Sequence, residues 1–119
     1  MYIENQIVPS ELRGQRTLAA IVFTDVVSYS ARMATNEEYT LDLLRRDFKI
    51  MKELCQQCEG RVLKTIGDAL LMYFSSAVKA VACAQEIQSS LAIFADKLTP
   101  EDILIHRIGI HLGDVFFNG

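Results

Sequence analysis

One unbroken apolar run stands out along the chain: Leu18–Phe23, closed by Thr24 and Asp25. A run of that length with a polar end suits a central strand buried on both faces, so Thr17–Asp25 is predicted as the first strand. Val26–Ser30 follows as a turn, and Ser28 or Ser30 can cap a short helix through Arg32 and Met33. Asn36 opens the next helix, with Glu37 and Glu38 in the first turn, where carboxylates complement the helix dipole. Leu44, Phe48, Met51, Leu54 or Cys55, and Cys58 recur at helical spacing and give that helix one apolar face. Gly60 is expected to end it in a left-handed conformation. Arg61–Ile66 and Ala69–Phe74 read as strands joined by Gly67-Asp68, a two-residue hairpin connection in which Gly supplies the positive φ. Ser75 or Ser76 caps a third helix. Val78, Val81, Ala84, Ile87, Leu91, Phe94 and Leu98 follow at steps of three and four, so this is expected to be a core helix. Thr99-Pro100 closes it, Glu101-Asp102 turn, and Ile103–Leu112 is the last strand. Gly113 and Gly119 bracket a short tail. Met1–Gln15 reads as a lead-in, with too few apolar residues for a strand.

The order is strand, helix pair, strand, strand, helix, strand. That alternation predicts an α+β, ferredoxin-like βαββαβ core, an antiparallel sheet with its helices on one face. In this architecture the first and third strands lie side by side and antiparallel. Asp25 ends the first and Asp68 precedes the third, so the two carboxylates are expected to meet at one end of the sheet.

Composition narrows the possibilities. A length of 119 residues argues for one domain, here residues 17–119 behind a lead-in of 1–16. The net charge of −3 speaks against a nucleic-acid partner held by a basic face. No window is apolar for long enough to cross a membrane, and residues 1–16 lack the apolar core of a signal peptide. Three cysteines without an export signal point to reduced thiols and a cytoplasmic protein.

Two neighbouring carboxylates repel each other and need a cation or a shared proton. Hard oxygen ligands favour Mg²⁺ or Mn²⁺, and two such ions can activate an attacking oxygen and stabilise a leaving one. The turn Val26–Ser30 leads into a helix N-terminus, whose N–H groups can cradle phosphates. Together these features point to a nucleoside triphosphate. An Asp at a strand exit and an Asp in a Gly-Asp turn also arise for purely local reasons, which leaves a structural role open.

Phe23-Thr24-Asp25-Val26-Val27-Ser28-Tyr29-Ser30 resembles the first metal motif of class III nucleotidyl cyclases. Gly60–Phe74, with Lys64-Thr65-Ile66-Gly67-Asp68 inside it, resembles their second. Arg107-Ile108-Gly109-Ile110-His111-Leu112-Gly113 resembles the strand that follows. Three motifs in the right order over residues 17–115 make a specific match. The resemblance implies that Asp25 and Asp68 hold two Mg²⁺ or Mn²⁺ ions, joined by the carbonyl of Val26. It places the backbones of Ser28, Tyr29, Ser30, Ile66 and Gly67 toward the phosphates. Lys64 matches the purine-selecting position, where Lys implies adenine and Glu would imply guanine. The implied reaction is ATP to cyclic AMP and pyrophosphate, in a homodimer whose sites form between two subunits. Ser28 stands where the family often has Gly. The family continues past the last strand into a segment bearing a transition-state Asn and Arg, so the chain resembles a C-terminally truncated domain with little or no activity alone. Two other readings are a non-catalytic regulatory or dimerisation module and another two-metal nucleotidyl transferase such as a diguanylate cyclase. The motif order and Lys64 count against the latter.

Other residues read more plainly. Cys55 and Cys58 suit core packing better than a metal or redox motif. His106 and His111, five apart on a strand, point to opposite faces and form no ligand pair. Arg45 and Arg46, with Asp42 and Lys49, read as a solvated helix face.

Overall fold

The structure, a computed structural model, describes residues 2–3 and 16–117. Its elements are β1 (Tyr2–Ile3), β2 (Arg16–Val26), α1 (Tyr29–Thr35), α2 (Glu37–Gln57), β3 (Arg61–Ile66), β4 (Ala69–Phe74), α3 (Ala77–Ala95), a 3₁₀ turn at Pro100–Asp102 and β5 (His106–Phe117). The sheet order is β1-β5-β2-β4-β3. β2, β3, β4 and β5 pair antiparallel, and β1 joins the edge parallel to β5. The α+β, ferredoxin-like expectation holds, with β2 central between β4 and β5.

Alternation along β2 builds two clusters. Ala20, Val22 and Val26 face α2 and α3 and pack with Leu44, Phe48, Met51, Leu70, Met72, Phe74 and Ile87. Ala19 and Ile21 face the other way, with Leu63, Tyr73 and Val115. Both helices thus lie on one face. β2 is buried from both sides only over Ala19–Val22; Leu18 and Phe23, the ends of the apolar run, are exposed, which corrects the expectation of burial along its whole length.

The helix boundaries follow the expected capping logic with two corrections. The Asn36 side chain accepts from the Tyr39 N–H at 3.1 Å, and Ser76 accepts from the Lys79 N–H at 3.3 Å. At the end of α2, however, Glu59 and not Gly60 takes the left-handed conformation, with φ of 63°. Gly60 is required for space: a Cβ there would sit 2.5 Å from the Phe74 ring and 2.8 Å from the Cys55 sulfur. On α3 the expected stripe is rotated. Ala80, Cys83 and Ile87 are buried, whereas Val78 is 78% exposed and Val81 is also exposed. The Val and Ala positions at the start of α3 are apolar nearly all round, so periodicity alone could not choose the buried face.

Two further expectations change. The last strand starts at His106, three residues late, and runs through Gly113 to Phe117. Its partner β2 supplies register as far as Arg16↔Phe116, so the ladder carries the strand past the glycine. The lead-in contributes β1 at Tyr2–Ile3, which pairs with Phe116 and Phe117; the rest of that segment lies outside the described residues.

Beneath the sheet end, α2 is tied to β5 by a buried polar cluster. Asp47 Oδ2 lies 2.8 Å from His106 Nε2, and Asp47 Oδ1 accepts from Arg46 Nε at 2.9 Å. Arg46 also donates to the Asp102 carbonyl and stacks over the Phe94 ring at 4.9 Å. Arg46 is therefore not part of a solvated face, unlike Arg45, whose pair with Asp42 is exposed. Cys55 and Cys83 are buried and unpaired, and burial pushes both thiols up to about 12, so neither is a ready nucleophile.

Gly60→Ala is expected to destabilise the fold by about 1–3 kcal/mol, the usual size of an overpacking penalty, measured as a lower urea midpoint. Asp47→Ala strands His106 and Arg46 beneath α2. It is expected to cost about 3 kcal/mol in the same experiment, and an unchanged midpoint would show that the cluster contributes nothing.

Candidate functional site

The hairpin between β3 and β4 brings Asp68 to the exit of β2. Leu70 pairs with Thr24 in the ladder, and the buried Thr24 hydroxyl accepts from the Leu70 N–H at 3.3 Å. Gly67, at φ of 55°, makes the turn that sends Asp68 back toward β2. Asp68 Oδ2 then accepts from the Val26 N–H at 2.8 Å. Two carboxylates 43 positions apart in sequence thus converge on adjacent residues, Asp25 by its own side chain and Asp68 through Val26.

Asp25 faces away from the helices and is half-exposed. Both of its oxygens are taken by Arg107, with Nε to Oδ1 at 2.7 Å and Nη2 to Oδ2 at 2.9 Å. That guanidinium holds the Asp25 carboxyl below its usual range, against a smaller opposing effect of desolvation. Asp68 adds its field to Asp25 in keeping the Arg107 proton. Sequence reasoning missed Arg107 as a site residue. It lies 82 positions from Asp25, and only the β2–β5 register sets the two opposite each other.

The turn after β2 is anchored at Val27 and left-handed at Ser28. The Val27 N–H donates to the Ile105 carbonyl, which fixes the turn against the segment before β5. Ser28 sits at φ 58°, ψ 35°, a left-handed conformation that a glycine would adopt at no steric cost. Its side chain makes no cap hydrogen bond, contrary to the expected capping, so no side chain shields the first N–H groups of α1. Tyr29 packs against the core; burial first, and then the nearby Asp68 charge, raise its phenol above the usual range. Ser30 is exposed. Across the site, Ile66 is exposed and Gly67 has open space around its Cβ direction.

Lys64 lies apart from this group. Its register partner is Leu71, which pairs with Phe23, so Lys64, Phe23 and Asp25 share the face opposite the helices. Two strand spacings and two residues separate Lys64 from Asp25, roughly 12 Å along the sheet. On the same face, Phe23 covers Gly109, where a Cβ would fall 2.4 Å from the ring. His106 and His111 pair with Val26 and Ile21 and so point to opposite faces, as expected.

The chemistry of the donor set suits a hard divalent cation. Two carboxylates meet at one sheet end, and the outer one already grips a cation through both oxygens. Among the described residues no cluster of three or more His, Cys, Asp or Glu side chains forms a metal cage, so any ion here would rest on these two carboxylates and backbone oxygen. A cleft of about 330 Å³ adjoins the turn, lined by Val27, Ser28, Arg32 and residues 103–105. A larger one, about 610 Å³, runs between α3 and β5 but has no ionisable side chain in its lining.

Comparisons with known proteins bear on the family and the fold. The family model described as the adenylate and guanylate cyclase catalytic domain matches residues 14–118. Putative adenylate cyclase 3 of Rhizobium meliloti (strain 1021) is 41% identical over 103 residues, covering 85% of this chain and 17% of the relative. Among solved structures, a bacterial light-regulated adenylyl cyclase superposes with a TM-score of 0.77 at 24% identity, over 84% of this chain and 31% of the other. An adenylate/guanylate cyclase/hydrolase from Silicibacter pomeroyi does so with a TM-score of 0.72 at 32% identity, over 84% and 59%. This chain therefore spans only part of the length of these relatives. No helix among the described residues is long and apolar enough to cross a membrane. With two converging aspartates on a ferredoxin-like sheet and a family match over nearly its whole length, the chain belongs to the adenylate and guanylate cyclase catalytic domain family.

Proposed function

We propose that the chain carries the metal-binding half of an adenylate cyclase site, for the reaction of ATP to 3′,5′-cyclic AMP and pyrophosphate. The observation that carries this reading is the convergence of Asp25 and Asp68 at the exit of β2. Asp25, Asp68 and the Val26 carbonyl would hold Mg²⁺ or Mn²⁺, two ions in the full site. Bound there, such ions lower the pKa of an attacking ribose 3′-hydroxyl and neutralise charge developing on the phosphates. The uncapped N–H groups around Ser28, Tyr29 and Ser30 bind and orient the phosphates. The open backbone at Ile66 and Gly67 lets them approach from the hairpin side.

Lys64 donates to the adenine ring. Its place two strands from Asp25 leaves it outside the carboxylate group, which is consistent with a separate role in reading the base. We read the base as bound by Lys64 of a second copy, in a homodimer with sites at the subunit boundary. Support for ATP comes from this Lys and from the similarity to the Rhizobium putative adenylate cyclase. On this reading these 119 residues supply metal and nucleotide binding, and binding is the property to be tested. We place this activity in the cytoplasm, where ATP is abundant and thiols stay reduced.

A second reading has one observation in its favour. Arg107 already satisfies Asp25, which is what a non-catalytic regulatory or dimerisation module would retain. A diguanylate cyclase reading is disfavoured by the family match.

Calorimetry with Mn²⁺·ATP and Mn²⁺·GTP separates these readings. ATP is expected to bind more tightly, and Asp25→Ala to weaken it by more than about tenfold. No heat with either nucleotide would make the module reading the better one. Lys64→Glu is expected to reverse the preference toward GTP. Mixing the Asp25→Ala and Lys64→Glu chains tests the shared site: in a homodimer, ATP binding returns at about a quarter of the sites, because half of the dimers are mixed and each holds one intact pair. A site contained in one chain gives no recovery.

A further inference from the structure

Arg107 is not an incidental surface partner of Asp25. The two residues are directly opposite in the β2–β5 ladder, so their side chains leave the sheet on the same face. The neighbouring pair, Val26↔His106, is fixed from below, because His106 is fully buried and held to Asp47 on α2. Two pairs from Arg107 on the other side, Gly109 lies under the Phe23 ring. The backbone that presents Arg107 is therefore pinned on both sides, while the guanidinium itself stays in solvent: Arg107 is 68% exposed and Asp25 44%.

The guanidinium occupies both Asp25 oxygens, the atoms on which a divalent ion would depend. Its field also reaches Asp68, so it offsets the like-charge repulsion of the pair. A dication on the same two oxygens would meet this fixed positive charge at contact distance, and the two cannot both be held closely. The two-pronged geometry puts this pair at the stronger end of exposed ion pairs, yet solvent still screens it and leaves it open to exchange.

We infer that Arg107 is the built-in cation of the site: it orders Asp25 in the metal-free protein and releases the carboxylate when a divalent ion binds. Arg107 is thus a positioning residue whose release is a step of metal loading. The inference rests on the metal-binding reading given under Proposed function and adds the competitor that sets its affinity.

Two measurements on the whole chain test it without turnover. The first follows the Arg107 Nε–H resonance of ¹⁵N-labelled protein during a titration with diamagnetic Mg²⁺. The signal is expected to move from a carboxylate-bound to a free-guanidinium position in step with Mg²⁺ saturation. The second counts bound Mn²⁺ by loss of the free-ion electron paramagnetic resonance signal. Arg107→Gln is expected to bind Mn²⁺ roughly twofold to fivefold more tightly than wild type, the scale of an exposed ion pair. Arg107→Lys, which keeps the charge but loses the two-pronged grip, is expected to fall between the two. Mg²⁺ saturation with an unmoved Nε signal, or Mn²⁺ affinity unchanged in Arg107→Gln, would overturn the inference while leaving the metal site intact. An absence of ion binding in every protein overturns the metal-binding reading itself, and the inference with it.

Discussion

Everything at this site follows from one electrostatic constraint: a sheet that brings two carboxylates to the same end must compensate them. The chain does so asymmetrically. Asp68 is satisfied by a backbone group, the Val26 N–H, and so serves as a lock between the β3–β4 hairpin and β2. Asp25 is satisfied by a side chain, Arg107, from the strand on the other side. The central position of β2 makes both solutions possible, because only the middle strand has one neighbour to supply a hairpin and another to supply a cation.

Burial separates two polar arrangements that look alike on paper. Asp47 and His106 are buried under α2 with almost no access to water, with the part-buried Arg46 closing the cluster, and leaving Asp47 or His106 unpaired there would be costly. Asp25 and Arg107 pair in solvent, where a lost partner is replaced by water at little cost. His106 and Arg107 are adjacent in sequence, yet alternation along β5 sends one into each setting. The first arrangement fixes the strand and the second leaves the carboxylate exchangeable. Two consecutive residues of β5 thus combine a fixed backbone with an exposed, replaceable partner for Asp25.

Local signals made much of this legible in the sequence. The apolar run of β2, the Gly67-Asp68 turn and the Asn36 cap each depend on residues within a few positions, and each element formed where those residues place it. The convergence of Asp25 and Asp68 followed from topology. Long-range packing and pairing were not legible. Nothing near Gly60 in sequence announces the Phe74 ring that excludes a Cβ, and nothing near Arg107 announces Asp25. Arg46 looked like half of a solvated Arg pair until Asp102 and Phe94 came to it from residues about 50 positions away. The extension of β5 past Gly113 belongs to the same class, since a long partner strand outweighed the local preference of glycine for a break. On α3, a surplus of small and apolar residues left several faces equally plausible, and the sheet selected the one through Ala80, Cys83 and Ile87.

Sheet geometry also bears on why an aspartate and a lysine from one short motif, Asp68 and Lys64, need not act together in one copy. The hairpin that delivers Asp68 to β2 has only two residues between its strands, so Asp68 crosses to the neighbouring strand at once. Lys64 stays back on the edge strand, four positions earlier, with β4 between it and β2. Their closeness in sequence is undone by the turn: one residue is projected toward the centre of the sheet and the other is left near its rim. A rim position is where a second molecule can reach, and a central strand end is where ligands can be held rigidly. The separation of Lys64 from the carboxylate group is therefore already present in the β3–β4 hairpin, before any partner is considered.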